Sequence, residues 1–309
     1  MYIQGISLGE IDMENINYSI IIPHKNIPDM LQRCIDSIPL RDDVQIIVVD
    51  DDSNPGKVDF EHFPGKNNPQ VELYFTKEGK GAGFARNVGL SHAKGKWLLF
   101  ADADDYFTDA LNILLDNYIN SDADIVYLFN DTFDQISGEK KEIDMPVRDL
   151  YKRCNSNIGE YDALRYECYA PWTKMVKRAL IISHSIKFDE VKASNDAFFS
   201  VKVGHFANLI EICPYVVYTR IIRQGSLQYS LKKEQLMDRI KVGYSINSFL
   251  YKINKIEHYN IIRVYIAQLR KISAILFIQQ IIIFLFKSQP YILRDTICGI
   301  FKKLNKSRV

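Results

Sequence analysis

The chain has 309 residues, 47% of them apolar and 25% charged, which excludes a disordered or fibrous polymer and leaves ample material for a core. The 39 Lys and Arg nearly balance the 38 Asp and Glu, but sixteen basic residues against four acidic ones lie from Ile221 onward. The C-terminal third is therefore the part suited to an anionic surface. Five scattered cysteines without a Cys-x-x-Cys argue against a disulfide framework and a thiolate zinc site, and fit a reducing compartment. The first residues carry Glu10, Asp12 and Glu14 instead of a basic start, so no signal peptide is expected.

In chain order, Tyr18–Ile22 is a β-branched run that stops at Pro23. Residues 27–38 place apolar side chains at helical spacing. Val44–Val49 is a second apolar run, ending in Asp50-Asp51-Asp52-Ser53, and Val71–Phe75 is a third. Gly81–Ala93 predicts a helix, and Trp97–Ala101 predicts a buried strand. Asp109–Ile119 predicts a helix and Ile125–Phe129 another buried strand. Residues 130–170 show little periodicity and read as loops and short elements. Ala179–Ser185 predicts a helix, Ile210–Arg220 a strand, and helices dominate from about Gln235. Short β-rich runs alternating with helices indicate an α/β fold with a mostly parallel sheet.

Ligands bind such sheets beyond the carboxyl ends of the strands. Three polar clusters fall there: Pro23-His24, Asp50-Asp51 and Asp102-Ala-Asp104-Asp105. Three carboxylates within four residues repel one another unless something positive joins them. Hard oxygen ligands suit Mg²⁺ or Mn²⁺, which complete their shell with water and substrate phosphates. An acidic turn that caps the helix near Asp109 is the simpler alternative for this stretch taken alone.

Six segments carry more. They are Ser19-Ile-Ile-Ile-Pro-His-Lys-Asn26, Ile47-Val-Val-Asp-Asp-Asp-Ser53, Gly81-Ala-Gly-Phe-Ala-Arg-Asn-Val-Gly89 and Phe100-Ala-Asp-Ala-Asp-Asp105. Pro171-Trp-Thr-Lys174, with Ile186–Glu190 and Ser194–Phe199, is the fifth, and Arg220-Ile-Ile-Arg-Gln-Gly-Ser226 the sixth. In this order they resemble family 2 glycosyltransferases, inverting nucleotide-sugar transferases of the GT-A fold. The resemblance covers about residues 18–228. Two positions depart from it: Asp52 stands where the family has Gly, and Asn195 where it has Glu. Asp tolerates a left-handed turn better than most residues, so the turn can survive.

The resemblance implies a nucleotide-sugar-binding half (18–105) and an acceptor-binding half (106–228), after an extension (1–17) and before a helical, basic region (229–309). It implies a nucleotide-sugar donor, with a UDP-sugar preferred, held by Pro23, His24, Asp50, Asp51, Arg86, Asp102 and Asp104. It implies Mn²⁺ or Mg²⁺ on Asp104 first and Asp102 second, with Asp105 in support. Asp196 is the implied general base, with helix capping as its alternative role. Trp172, Lys174 and Asn195 are implied to border the acceptor or sugar pocket, and Arg220, Arg223 and Ser226 to close over the diphosphate. The implied acceptor is a saccharide or lipid-linked saccharide in cell-surface polysaccharide synthesis. Two other readings stay open: a nucleotidyltransferase acting on sugar phosphates, and an inactive carbohydrate-binding or scaffold homologue.

Residues 272–286 are almost wholly apolar but number fifteen, fewer than the roughly twenty a spanning helix needs. A buried or interfacial helix is expected. Past Pro290, Ile292, Leu293, Ile297, Ile300, Phe301 and Leu304 recur at helical spacing beside Lys302, Lys303, Lys306 and Arg308. That end suits an anionic membrane surface, and packing on the domain or in a homodimer is the alternative. A cytoplasmic enzyme on the inner face of the cell membrane, without a nucleic-acid partner, is the resulting expectation.

Overall fold

The computed structural model describes residues 5–6, 16–141, 146–154, 161–223, 232–260 and 262–287. Its frame is a nine-stranded sheet in the order β1-β4-β3-β2-β5-β8-β7-β9-β6. The strands are β1 (Gly5–Ile6), β2 (Tyr18–His24), β3 (Val44–Asp51), β4 (Val71–Thr76), β5 (Trp97–Phe100), β6 (Tyr106–Phe107), β7 (Ile125–Asp134), β8 (Lys174–Lys177) and β9 (Ile210–Ile222). β2 pairs in parallel with both β3 and β5, and β3 pairs in parallel with β4. β8 runs antiparallel between β5 and β7, which restores the common direction to β7 and its parallel neighbour β9. The carboxyl ends of β2, β3, β4, β5, β7 and β9 thus share one edge.

The helices of the sheet domain are α1 (Pro28–Asp36), α2 (Ala82–His92), α3 (Ala110–Tyr118), α4 (Pro146–Cys154), α5 (Asp162–Glu167), α6 (Arg178–Ser183) and α7 (Ala197–Phe206). Two apolar layers enclose the sheet because strand side chains alternate between its faces. Ile20, Ile22, Ile46 and Val48 pack on one face with Leu31, Cys34 and Leu111. Ile21, Ile47 and Val49 pack on the other with Phe84, Ala85, Leu164 and Phe199. Both layers are needed because β2 and β3 are buried at nearly every position, the pattern of strands covered on two faces.

The stretch at 130–170 holds more structure than its sequence suggests. β7 continues to Asp134, and α4 and α5 follow. β8, at four residues, is too short to show a strand period.

Beyond the sheet, α8 (Lys233–Lys252), α9 (Ile262–Leu269) and α10 (Ala274–Lys287) form a helical unit. Val242, Ile246 and Leu250 of α8 pack on Ala197 and Val201 of α7. Leu236 and Ile240 pack with Ile262, Ile266 and Leu269 of α9, against which Phe277, Ile281 and Phe284 of α10 rest. Lys255 pairs with Asp162, and His258 Nδ1 lies 2.7 Å from a carboxylate oxygen of Glu167, tying the unit to α5. Among the described residues no helix is long and apolar enough to cross a membrane. The basic helical pattern past Pro290 lies outside the described residues.

Candidate active site

The ends of β2 and β3 lie side by side, with His24 in register with Asp50. Both are buried, and His24 Nδ1 stands 2.7 Å from Asp50 Oδ2. The backbone N–H of Ile27 donates to His24 Nε2 at 3.1 Å, so that nitrogen is the acceptor and Nδ1 carries the proton. Ser53 donates to the same carboxylate through its N–H (2.9 Å) and its hydroxyl (2.5 Å). Burial alone would raise the Asp50 pKa, but the hydrogen bonds from His24 and Ser53 hold it below the usual carboxylate range. The polar atoms of His24 and Asp50 are thus engaged within the protein, beside Pro23.

Asp51 reaches the loop between β4 and α2. Its carboxylate accepts from the backbone N–H of Gly81 (2.7 Å) and Lys80 (3.2 Å) and from the Thr76 hydroxyl (3.2 Å). Gly81 has φ +96°, a conformation that favours glycine. Asp52 adopts φ +62°, so the left-handed turn survives without glycine, as its chemistry allows.

The strand end of β5 carries the carboxylates. Oxygens of Asp102, Asp104 and Asp105 lie within 4.8 Å of one another. Such a set of hard, anionic donors fits Mg²⁺ or Mn²⁺. Each carboxylate has a different neighbour. Asp102 accepts from Arg86 Nη2 at 2.5 Å, and Asp104 from Arg223 Nε at 2.5 Å. Asp105 is buried and accepts from the Tyr218 hydroxyl (3.0 Å) and the Ile221 N–H (2.7 Å). Burial first, and then the charges of Asp102 and Asp104, push the Asp105 carboxyl well above the usual range. Arg33 Nη2 donates to the Asp104 carbonyl at 2.5 Å and so anchors the turn from α1.

Arg86 projects from α2 and is 4% exposed. Its Nη1 donates to Asn195 Oδ1 at 2.8 Å, and its guanidinium lies over the Phe188 ring at 5.4 Å. One cation thus joins the carboxylate cluster to the segment before α7. Asp196 is the N-cap residue of that helix, but its side chain makes no capping bond. Among the described residues no other side chain hydrogen-bonds its carboxyl. Burial raises the pKa of that group; the Arg86 charge opposes the rise and Asp102 adds to it. A carboxyl near a carboxylate cluster, bonded by no other side chain and raised in pKa, is suited to accept a proton.

Two side chains expected at the pocket border sit deeper. Lys174 is 1% exposed, because its ammonium donates to the carbonyls of Cys168 and Ala170, each at 2.7 Å. It braces the segment leading into β8 from beneath and does not line a pocket. Trp172 is largely buried, its ring stacked on Tyr218 with centroids 5.1 Å apart and planes 12° apart. Arg220 lies on β9 one position from Ile221, the donor to Asp105, while Ser226 falls outside the described residues.

The sequence reading missed Tyr218. Its hydroxyl accepts the Asp102 N–H at 2.9 Å while donating to Asp105, and so fixes the carboxylate turn from β9. A buried aromatic in a strand gives no local sign of that role. Arg33 was missed for the same reason, since its contact spans 71 positions.

The family model of glycosyl transferase family 2 matches residues 19–182, more than half of the chain. The chain belongs to glycosyl transferase family 2. This glycosyltransferase is 23% identical over 260 residues to the putative glycosyltransferase EpsH of Bacillus subtilis, covering 80% of this chain and 73% of EpsH. It is 25% identical over 227 residues to the glycosyltransferase GlyA of Streptococcus pneumoniae, covering 68% of this chain but 31% of GlyA. The chain thus spans about a third of GlyA's length. Among solved structures, Staphylococcus aureus TarS 1–349 in complex with UDP-GlcNAc superposes with a TM-score of 0.64 at 20% identity, covering 84% of this chain and 74% of that 1–349 chain. The fold of this glycosyltransferase is the GT-A fold.

Proposed function

We propose that this glycosyltransferase transfers a sugar from a UDP-sugar to a hydroxyl of a saccharide or lipid-linked saccharide, with inversion and with a divalent cation, in cell-surface polysaccharide synthesis. The observation that carries the reading is the placement of Asp102, Asp104 and Asp105 together at one strand end, with Asp196 linked to them through Arg86 and its chain neighbour Asn195. The crystallised complexes of the neighbour TarS with UDP-GlcNAc and with UDP support the choice of nucleotide.

In this reading the base lies between the ends of β2 and β3. Asp51 holds the Lys80–Gly81 backbone beside it, and the His24–Asp50–Ser53 bonds keep the pocket floor rigid. Asp104 and Asp102 would hold Mg²⁺ or Mn²⁺, with Asp105 supporting their turn. The cation would supply Lewis-acid neutralisation of the charge that grows on the leaving diphosphate. Asp196 takes the proton of the attacking acceptor hydroxyl on the opposite face of the sugar, and one displacement inverts the anomeric centre. Arg223 and Arg220, at the end of β9, offer cationic donors to the diphosphate. Asn195 borders the sugar.

The test is a screen of nucleotide sugars for binding and transfer, with and without Mn²⁺ or Mg²⁺. UDP affinity that is the same with and without metal, and unchanged in Asp104→Ala, would overturn the metal assignment. Asp196→Asn is expected to bind donor and fail to transfer; retained transfer would remove Asp196 as the base. Release of pyrophosphate from a nucleoside triphosphate would replace the reading with a nucleotidyltransferase.

A further inference from the structure

α10 has two apolar faces, and among the described residues only one is covered. Phe277, Ile281 and Phe284 rest on α9 and α8. Ile275, Ile278, Ile282, Leu285 and Phe286 point away from them, at exposures from 48% for Ile282 to 85% for Phe286. At 3.6 residues per turn these five fall within an arc of about 100°. Singly exposed apolar residues are ordinary, whereas a continuous stripe of large ones marks an interaction surface.

Charge selects the occupant. From His258 to Arg294 the sequence has no acidic residue and five basic ones: Arg263, Arg270, Lys271, Lys287 and Arg294. Arg270 and Lys271 are exposed just ahead of α10, and Lys287 ends it. An apolar stripe with cations at both ends and no carboxylate matches the boundary between acyl chains and anionic headgroups. Its fourteen residues span about 21 Å, short of the roughly 30 Å of a bilayer core, so the helix would lie in the surface plane. A second copy of the chain fits less well. One helix face offers roughly a few hundred Å², below the ~800 Å² per partner of a stable dimer.

We propose that the exposed face of α10 docks on an anionic phospholipid surface. The docking rests on the transferase reading only for its purpose, bringing the site to a lipid-linked acceptor, and its test uses no transfer step.

The full chain is sedimented with vesicles of phosphatidylcholine alone and with vesicles containing about a third phosphatidylglycerol. Binding is expected to the anionic vesicles only and to weaken as salt is raised. Ile278→Ser/Leu285→Ser and, separately, Arg270→Ser/Lys271→Ser should each lower the affinity for anionic vesicles roughly tenfold or more. None of these residues belongs to the active site, so UDP binding should stay unchanged and serves as the folding control. No binding to anionic vesicles, or binding that both variants retain, would overturn the proposal. So would a wild-type dimer in solution that Ile278→Ser/Leu285→Ser converts to monomer, because the face would then belong to a second copy. Transfer without vesicle binding would remove the docking alone and leave the enzyme assignment intact.

Discussion

Arg223 Nε stands 2.5 Å from Asp104 Oδ2, so the carboxylate best placed for a cation already holds one. The two side chains are 33% and 21% exposed, which puts their pairing near the weak, screened end of ion pairs, at about 0.2–1 kcal/mol. A divalent cation of higher charge can therefore displace the guanidinium, which then becomes free to meet the diphosphate. Arg223→Ala should tighten binding of Mn²⁺ alone by up to about fivefold while weakening binding of UDP in the presence of Mn²⁺. Titration calorimetry reads both; a variant that binds Mn²⁺ more weakly would contradict the competition.

The pH profile of transfer should report Asp196. Burial raises its pKa, with the Asp102 charge adding to the rise against Arg86 and Lys174. A general base works ionised, so with Asp196 in the proposed role the rate falls as pH drops through that raised pKa. The acid limb of kcat should accordingly lie above the ordinary Asp value of about 3.9. A rate that stays level down to pH 4 would assign the proton to another group.

Lys174→Met offers a second handle on the same limb. The lysine is buried and its positive charge favours the ionised form of Asp196. Its removal should move the acid limb to higher pH. Thermal unfolding measured alongside separates the two effects, because the Cys168 and Ala170 carbonyls also lose their donor.

The parallel half of the sheet and its site were legible because they are local. The runs 18–22, 44–49, 71–75 and 97–101 are continuous and apolar, and each ends in polar residues that fall at one edge once the strands align. Asp52 could be foreseen in a left-handed turn from its own chemistry. Residues 130–170 were not legible, because α4 and α5 are short and β7 alternates weakly past Phe129. Lys174 was expected at a pocket border, since a lysine rarely stays buried; three-dimensional proximity to two carbonyls is what keeps it inside. The Tyr218 link to Asp102 and Asp105 spans more than a hundred positions, and no local pattern encodes it.

Tyr218→Phe isolates that link. The substitution leaves the stacking on Trp172 in place but removes an acceptor from the Asp102 N–H and a donor from buried Asp105. Leaving buried polar groups unpaired costs about 1–3 kcal/mol. The protein should unfold at a correspondingly lower temperature, and Mn²⁺ affinity should fall because the carboxylate turn loses its support. Unchanged Mn²⁺ binding in a folded variant would limit Tyr218 to a packing role.

Gly83 sets how closely α2 approaches the segment that delivers Asp196. A methyl group there would lie 2.1 Å from the Asp189 carbonyl oxygen and 2.8 Å from Asn195 Cβ. Both neighbours belong to a turn closed by the Asp189 N–H donating to the Asn195 carbonyl at 3.0 Å, so the turn must move as a unit. That movement pulls Asn195 from Arg86 and carries Asp196 with it. Gly83→Ala should destabilise the fold by about 1–3 kcal/mol, the usual cost of overpacking. Transfer should fall much further than UDP affinity, because the base moves while the β2 and β3 ends do not. Gly56→Ala is the comparison: its methyl would meet only the Asn54 side chain, at 3.3 Å, and should leave both unchanged. Equal losses of transfer and UDP binding in Gly83→Ala would mean that the substitution damages the whole domain instead of the placement of Asp196.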